Sequence, residues 1–177
     1  MSRVGKLPVQ LQSTVQVSKK GEYLYVSGPK GELQRKIHKL VDVVINTNSV
    51  VVSPVDKSDF AKALWGTTRN IINNMVQGVT SGFKSELELV GVGYRASQKA
   101  DAVVLSVGKS HSIQMFVPKG VTVSLPKPTH LVVEGIDKEL VGQFVATIIK
   151  QRPTEPYKGK GIKKATDTVK KKAGKKN

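Results

Sequence analysis

Cysteine is missing altogether from the 177 residues, and with it go disulfides, zinc fingers, iron–sulfur clusters and thiol chemistry. Acidic residues are scarce: 13 Asp and Glu stand against 29 Lys and Arg, too few to suggest a paired general acid and base. The three histidines, His38, His111 and His130, fall in different expected turns or strands with no carboxylate cluster beside them, so no metal centre is expected. Serines are plentiful, yet none sits in a nucleophile elbow. No apolar run approaches membrane-spanning length, and the opening Met1-Ser2-Arg3-Val4-Gly5-Lys6-Leu7-Pro8 lacks a signal-peptide core, so the default location is the cytoplasm. The chain is read as no enzyme, with no cofactor, no metal and no small-molecule substrate.

What is abundant is positive charge. The formal net charge of +16 exceeds what solubility alone favours and points to a polyanionic partner. Residues 150–177 hold 11 basic and 2 acidic side chains, a charge of +9, which leaves +7 for the longer body. In the body these charges are scattered among apolar residues that can build a core, whereas the tail has almost nothing to bury. Nucleic acid outranks a membrane surface as the partner, because Lys163 to Asn177 offers only Val169 as a bulky apolar anchor.

The pattern along the chain is strands, then a helix, twice over. Val9, Leu11, Val15 and Val17 alternate with mostly polar residues, which predicts a half-buried strand. Turns at Lys19-Lys20-Gly21 and Ser27-Gly28-Pro29-Lys30-Gly31 bracket Tyr23 to Val26, and Val41 to Ile45 with Val50 to Val52 predict a hairpin. From Asp56 the period lengthens: Phe60, Leu64, Thr67 or Thr68, Ile71 and Met75 form a helical stripe, capped by Asp56 or Ser58 and stopped at Gly78. Residues 87–92, 102–107, 112–117, 121–125 and 131–134 then predict short strands. A second helix follows Asp137 at its cap, burying Leu140, Val141, Phe144, Val145, Ile148 and Ile149 until Arg152-Pro153 ends it.

An offset of 80 lays the second half on the first. It pairs Gly28 with Gly108, Lys39 with Lys119, Val41 with Val121, Val43 with Val123, Val52 with Val132 and Thr67 with Thr147, and sets Leu64 opposite Phe144. Together with the repeated element order this predicts an α+β protein of two similar domains, each a small, mostly antiparallel sheet arrangement packed with one helix. The expected divisions are 1–82, 83–152 and an extended basic tail, 153–177, with the join near Thr80-Ser81-Gly82.

The most informative segment begins at that tail: Arg152-Pro153-Thr154-Glu155-Pro156-Tyr157-Lys158-Gly159-Lys160-Gly161-Ile162-Lys163-Lys164. Two prolines favour an extended chain, and Gly159 and Gly161 allow close backbone approach to another surface. Lys158, Lys160, Lys163 and Lys164 neutralise phosphates, while Tyr157 stacks on a base or ribose. With little apolar content the segment is expected to order only when bound. Gly159-Lys160-Gly161 does not fit a nucleotide-hydrolase phosphate loop, and Gly91-Val92-Gly93-Tyr94-Arg95 lacks the third glycine of a dinucleotide fingerprint; the latter reads as a strand with a bend. Thr67-Thr68-Arg69-Asn70 lies on the exposed side of the first helix, where it either touches RNA or caps a loop. Arg3 and Lys6 form a short basic arm that either grips phosphate or stays mobile.

Glu155-Pro156-Tyr157-Lys158-Gly159-Lys160-Gly161-Ile162 resembles the signature of the bacterial large-subunit ribosomal protein L-six family. Ser2 to Pro8, Gly28 to Gly31, Gly66 to Arg69, Asn74 to Val79, Gly91 to Ala96 and Asp137 to Gln143 resemble that family's segments in the same order. The resemblance implies two duplicated α+β domains and an architectural role in the large ribosomal subunit. It further implies contact with large-subunit ribosomal RNA near the sarcin–ricin loop, with neighbouring ribosomal proteins and translational GTPase factors close by. Tyr157, Lys158, Gly159, Lys160 and Gly161 would be the RNA-contacting element, joined by Arg152, Lys163, Lys164, Arg69, Arg3 and Lys6. Thr154 stands where the family often has proline, and Lys163-Lys164 replace a common basic-aromatic pair, which removes a stacking contact but retains charge. Two rivals remain: a non-ribosomal basic nucleic-acid chaperone, and a nucleic-acid-modifying enzyme with an unadvertised acidic cleft.

Overall fold

The computed structural model describes residues 3–174; Met1, Ser2 and residues 175–177, the outermost ends of the expected first domain and tail, lie outside them. The chain divides into two compact units, one running to Gly82 and taking in Ile136–Lys138, the other holding the remainder.

The first unit contains β1 (Val9–Gln10), β2 (Gln16–Lys20), β3 (Tyr23–Gly28), β4 (Gly31–Lys36), β5 (Val41–Ile45), β6 (Ser49–Pro54) and α1 (Asp59–Thr80). Its strands form two antiparallel sheets of order β1-β6-β5 and β2-β3-β4. Val9, Val43, Val50 and Val52 from one sheet and Leu24 and Val26 from the other pack with Ile72, Met75, Val76 and Val79 of the helix. The expected single strand from Val9 to Val17 is two strands around a corner, where the Val15 amide donates to the Gln12 carbonyl at 3.0 Å. Alternation survives on both sides of the corner, so periodicity could not reveal it. The β4 strand escaped notice because Glu32, Gln34, Arg35 and Lys36 give an edge strand almost no apolar face.

Ser58 proves to be the cap of α1: its hydroxyl accepts from the Ala61 amide at 3.2 Å, while Asp56 accepts from the Ser58 amide at 2.9 Å. Gly78 does not stop the helix, which buries it and continues to Thr80; Gly82, at φ 75°, makes the left-handed departure. The expected Thr68 and Met75 are buried and Leu64 and Ile71 partly so, but the buried face extends further round than expected, to Ala61, Ile72, Val76 and Val79. Phe60 is 61% exposed and meets His38 edge-on. The Trp65 indole N–H donates to the Val52 carbonyl at 2.6 Å and ties the helix to β6.

The second unit repeats the plan with β7 (Phe83–Val90), β8 (Arg95–Lys99), β9 (Ala102–Ser106), β10 (Ile113–Phe116), β11 (Val121–Lys127), β12 (His130–Gly135), α2 (Lys138–Gln151) and β13 (Gly161–Lys164). Its antiparallel sheets run β10-β9-β8 and β11-β12-β7-β13. The unexpected β8 buries only Ala96. In α2, Val141, Phe144, Val145 and Ile148 are buried and Ile149 partly so, but Leu140 faces outward on the helix flank.

Register makes the duplication concrete. Val43 pairs with Val52 as Val123 pairs with Val133, so Val52 corresponds to Val133 and not to Val132 as the constant offset required. A bulge between Ser124 and Lys127 absorbs the extra residue. Likewise Val9 opposite Val50 matches Leu87 opposite Leu131. The Leu11 amide donates to Asn48 as the Leu89 amide donates to Thr129, both at 2.9 Å. The largest departure from expectation is β13: part of the anticipated tail is a strand of the second unit, and the extended basic tail begins after it.

Candidate nucleic-acid interface

Three connections leave the same end of the four-stranded sheet. Because β7 ends at Val90 opposite Gly161, and His130 lies opposite Glu88, the turn after β7, the β11–β12 turn and the loop before β13 emerge together. The Ala96 amide donates to the Pro128 carbonyl at 2.7 Å, which joins the start of β8 to the same group.

The loop before β13 is tied shut. After α2 ends at Gln151, the Ile162 amide donates back to the Arg152 carbonyl at 2.8 Å and the Glu155 amide donates to the Lys160 carbonyl at 2.9 Å. Pro153 faces Ile162 in a parallel bridge. A Cβ on Gly161, where φ is 140°, would lie 2.5 Å from the Thr154 Cα and 2.6 Å from the Pro153 oxygen, so only glycine permits this crossing. Gly159 turns at φ 71°, and the Lys172 amide donates to the Pro156 carbonyl at 2.9 Å, folding the following segment across the loop.

Ile162 supplies the anchor. It is 1% exposed and packs in the same core as Leu89 and Ile148. The sequence-based view that this segment cannot order itself missed that one residue, since a single aliphatic among lysines looks like nothing in a composition count. Burying a side chain of this size contributes about 1.5–3 kcal/mol toward ordering the loop, alongside its backbone hydrogen bonds.

The expected site residues therefore divide. Tyr157 is 58% exposed at the loop tip, and Arg152, Lys158, Lys160 and Lys164 are exposed without an ion-pair partner among the described residues. Gly159 and Gly161 are buried and shape the backbone. Lys163 instead faces Glu88 across the β13–β7 ladder and pairs with it at 3.0 Å, both side chains being mostly covered. Glu155 is the one acid in the loop itself.

The remaining three lie in the first unit. Arg69 donates from Nε to the Leu7 carbonyl at 3.0 Å and from Nη2 to the Pro8 carbonyl at 3.4 Å. Gly5 sits against the Trp65 indole, where a Cβ would come within 2.7 Å. The N-terminal arm is thereby clamped, with Arg3 and Lys6 exposed on it. The Thr67 hydroxyl donates back to the Ala63 carbonyl at 3.1 Å within the helix.

Two cations that sequence reasoning overlooked stand at the sheet end: Arg95, which opens β8, and Lys127, which closes β11. Both are exposed. Strand register was the signal that would have found them, and it cannot be read from spacing alone. Among the described residues no group of three or more His, Cys, Asp or Glu could hold a metal, and no helix is long and apolar enough to cross a membrane. What the arrangement offers chemically is a fixed set of cations and one aromatic ring, suited to phosphates and bases.

Comparison with known proteins agrees with the duplicated plan. The sequence model of the family described as Ribosomal protein L6 matches residues 13–82 and again 90–165. Three relatives, each named large ribosomal subunit protein uL6, align over 175 residues and 99% of this chain. That of Geotalea uraniireducens is 49% identical with 98% of its own length covered, that of Chloroherpeton thalassium 47% with 98%, and that of Desulfitobacterium hafniense 45% with 95%.

Proposed function

Since the chain belongs to the ribosomal protein L6 family, and is thus a structural, non-enzymatic constituent of the large ribosomal subunit in the cytoplasm, we propose that it grips large-subunit ribosomal RNA through the closed loop 152–161. Ribosomal RNA and neighbouring ribosomal proteins are its partners by family. The finer address, close to the sarcin–ricin loop and to docked translational GTPase factors, is part of this proposal and is supported by family membership.

One observation carries it: the family signature forms a loop whose backbone is tied internally while Arg152, Lys158 and Lys160 point no charge at any acid among the described residues. Lysines held apart on a preset backbone neutralise phosphates without first being ordered, and Tyr157 adds a stacking face. Arg69 and Lys163 have structural roles, the first holding the N-terminal arm within the first unit and the second holding β13 to β7.

Crosslinking in purified large subunits tests this directly. Tyr157, Lys158 and Lys160 are expected to crosslink to large-subunit RNA beside the sarcin–ricin loop, and Lys158→Ala with Lys160→Ala to flatten the salt dependence of RNA binding by more than one unit of slope. Crosslinks confined to residues outside 152–164 would overturn the assignment of the loop.

A further inference from the structure

We propose that the turn Gly91–Tyr94 is a second RNA-contacting element, in which Val92 packs against a ribose or base face beside phosphates held by the loop 152–161; this rests on the RNA-binding reading above. Val92 is 94% exposed, more than any other large apolar side chain among the described residues. A lone exposed valine ordinarily needs no explanation. Its setting is what distinguishes it.

The turn is built to hold this side chain out. Tyr94 packs against the core of the second unit with its ring wedged between two backbones: a Cβ on Gly91 would come within 2.9 Å of the ring, and one on Gly108 within 3.2 Å. The Tyr94 amide closes the turn on the Gly91 carbonyl at 3.3 Å, and Gly93 takes a left-handed φ of 75°. Val92 stands between these two glycines, on a turn braced from beneath by an aromatic ring. A side chain at Gly91 would collide with the ring and one at Gly93 would be strained by its left-handed φ, so the exposed position of Val92 is a property of the backbone and not of a slack loop.

The turn also stands where RNA would be met. Val90, one residue before it, is opposite Gly161, the residue at which the closed loop rejoins the sheet. Arg95 follows it directly, and Ala96 is bonded to the turn that carries Lys127. No acid lies within residues 90–99. An apolar tip followed directly by Arg95, in a segment without acids, fits a polyanion that also presents apolar faces, which describes RNA with accessible riboses and unpaired bases. Tyr94 is a positioning residue here, acting through the backbone that it supports.

The experiment measures binding of the full-length protein to purified large-subunit RNA over a range of salt, for wild type, Val92→Ser, and Lys158→Ala with Lys160→Ala. Val92→Ser replaces an exposed side chain by a smaller polar one at a 94% exposed position, so folding is not at stake. It is expected to weaken binding about tenfold at every salt concentration with the slope unchanged, because the lost contact is apolar. The lysine pair is expected to flatten the slope. Wild-type binding by Val92→Ser, with the lysine variant impaired, overturns the Val92 contact and leaves the loop reading standing. Unaltered binding by both variants removes the loop reading as well. If Val92→Ser impairs incorporation into subunits but not binding to naked RNA, the tip meets protein and the proposal falls.

Discussion

The two units share a strand plan and part company at one strand. In the first, β1 is the edge of its sheet; in the second, the equivalent β7 is covered by β13. The helices begin alike, after Ser58 and Asp137, but α1 runs for 22 residues and delivers the chain to the next unit, whereas α2 stops after 14, before Arg152-Pro153. Only there does the chain turn back to add a strand, and the closed loop is what lies between the helix and that strand. The copies therefore diverge where the second carries its proposed RNA contact: the strand plan is kept, and the extension at one end adds the closed loop.

The sharpest way to break the contrast is to remove the anchor of the extra strand. Ile162→Ala is expected to destabilise the second unit by about 2–4 kcal/mol in denaturant unfolding, since the cavity opens in a core shared with Leu89 and Ile148. A loss below about 1 kcal/mol would mean that β13 adds little to that core. Next comes Gly161→Ala, which forces a Cβ into the Pro153–Thr154 backbone at a left-handed φ. About 2–3 kcal/mol of strain or a displaced loop should result, visible as lost amide protection at Glu155 and Ile162. Unchanged protection there would show that the crossing tolerates a side chain.

Smaller effects belong to the first unit. Ser58→Ala should cost about 1 kcal/mol by uncapping α1, read as a lower unfolding midpoint with an unchanged denaturant slope. The least is electrostatic. In the first unit Asp42 is held below the usual Asp value by the Lys19 ammonium, Asp56 by the Ser58 hydroxyl and amide, and Asp59 by Lys62; in the second, Glu86 is held down by Lys84. A carboxyl whose folded pKa is depressed stabilises above its unfolded value and loses that contribution as pH falls through the folded one. The first unit should therefore lose slightly more stability in the acid limb, below the ordinary Asp value of 3.8, when local unfolding is followed by amide exchange. An equal or greater loss in the second unit would show these surface pairs to be negligible.

Much of this frame was legible in the sequence, because valine alternation, Thr68 and Met75 on the first helix, and the stripe of Val141, Val145 and Ile148 on the second are direct consequences of burial on one face. The duplication was legible for the same reason, to within the one residue that the bulge before Lys127 takes up. Polar edge strands such as Arg95–Lys99 were not, since pairing through backbone atoms leaves no side-chain pattern. The candidate loop was visible as a motif, but its closure depends on Gly161 passing against Pro153, a contact between backbones that sequence spacing does not announce. Arg69 and Lys163 read as free cations because charge alone does not disclose a carbonyl or a glutamate waiting across a ladder.

The burial of Ile162 before any partner arrives has a calorimetric consequence. Segments that fold as they bind bury apolar surface at that moment and give a large negative change in heat capacity. Here the aliphatic anchor is already in the core and the loop hydrogen bonds are already made. Association with RNA through this loop should therefore show a small heat-capacity change, with its free energy drawn mainly from released counterions and hence from the entropy of the surrounding salt.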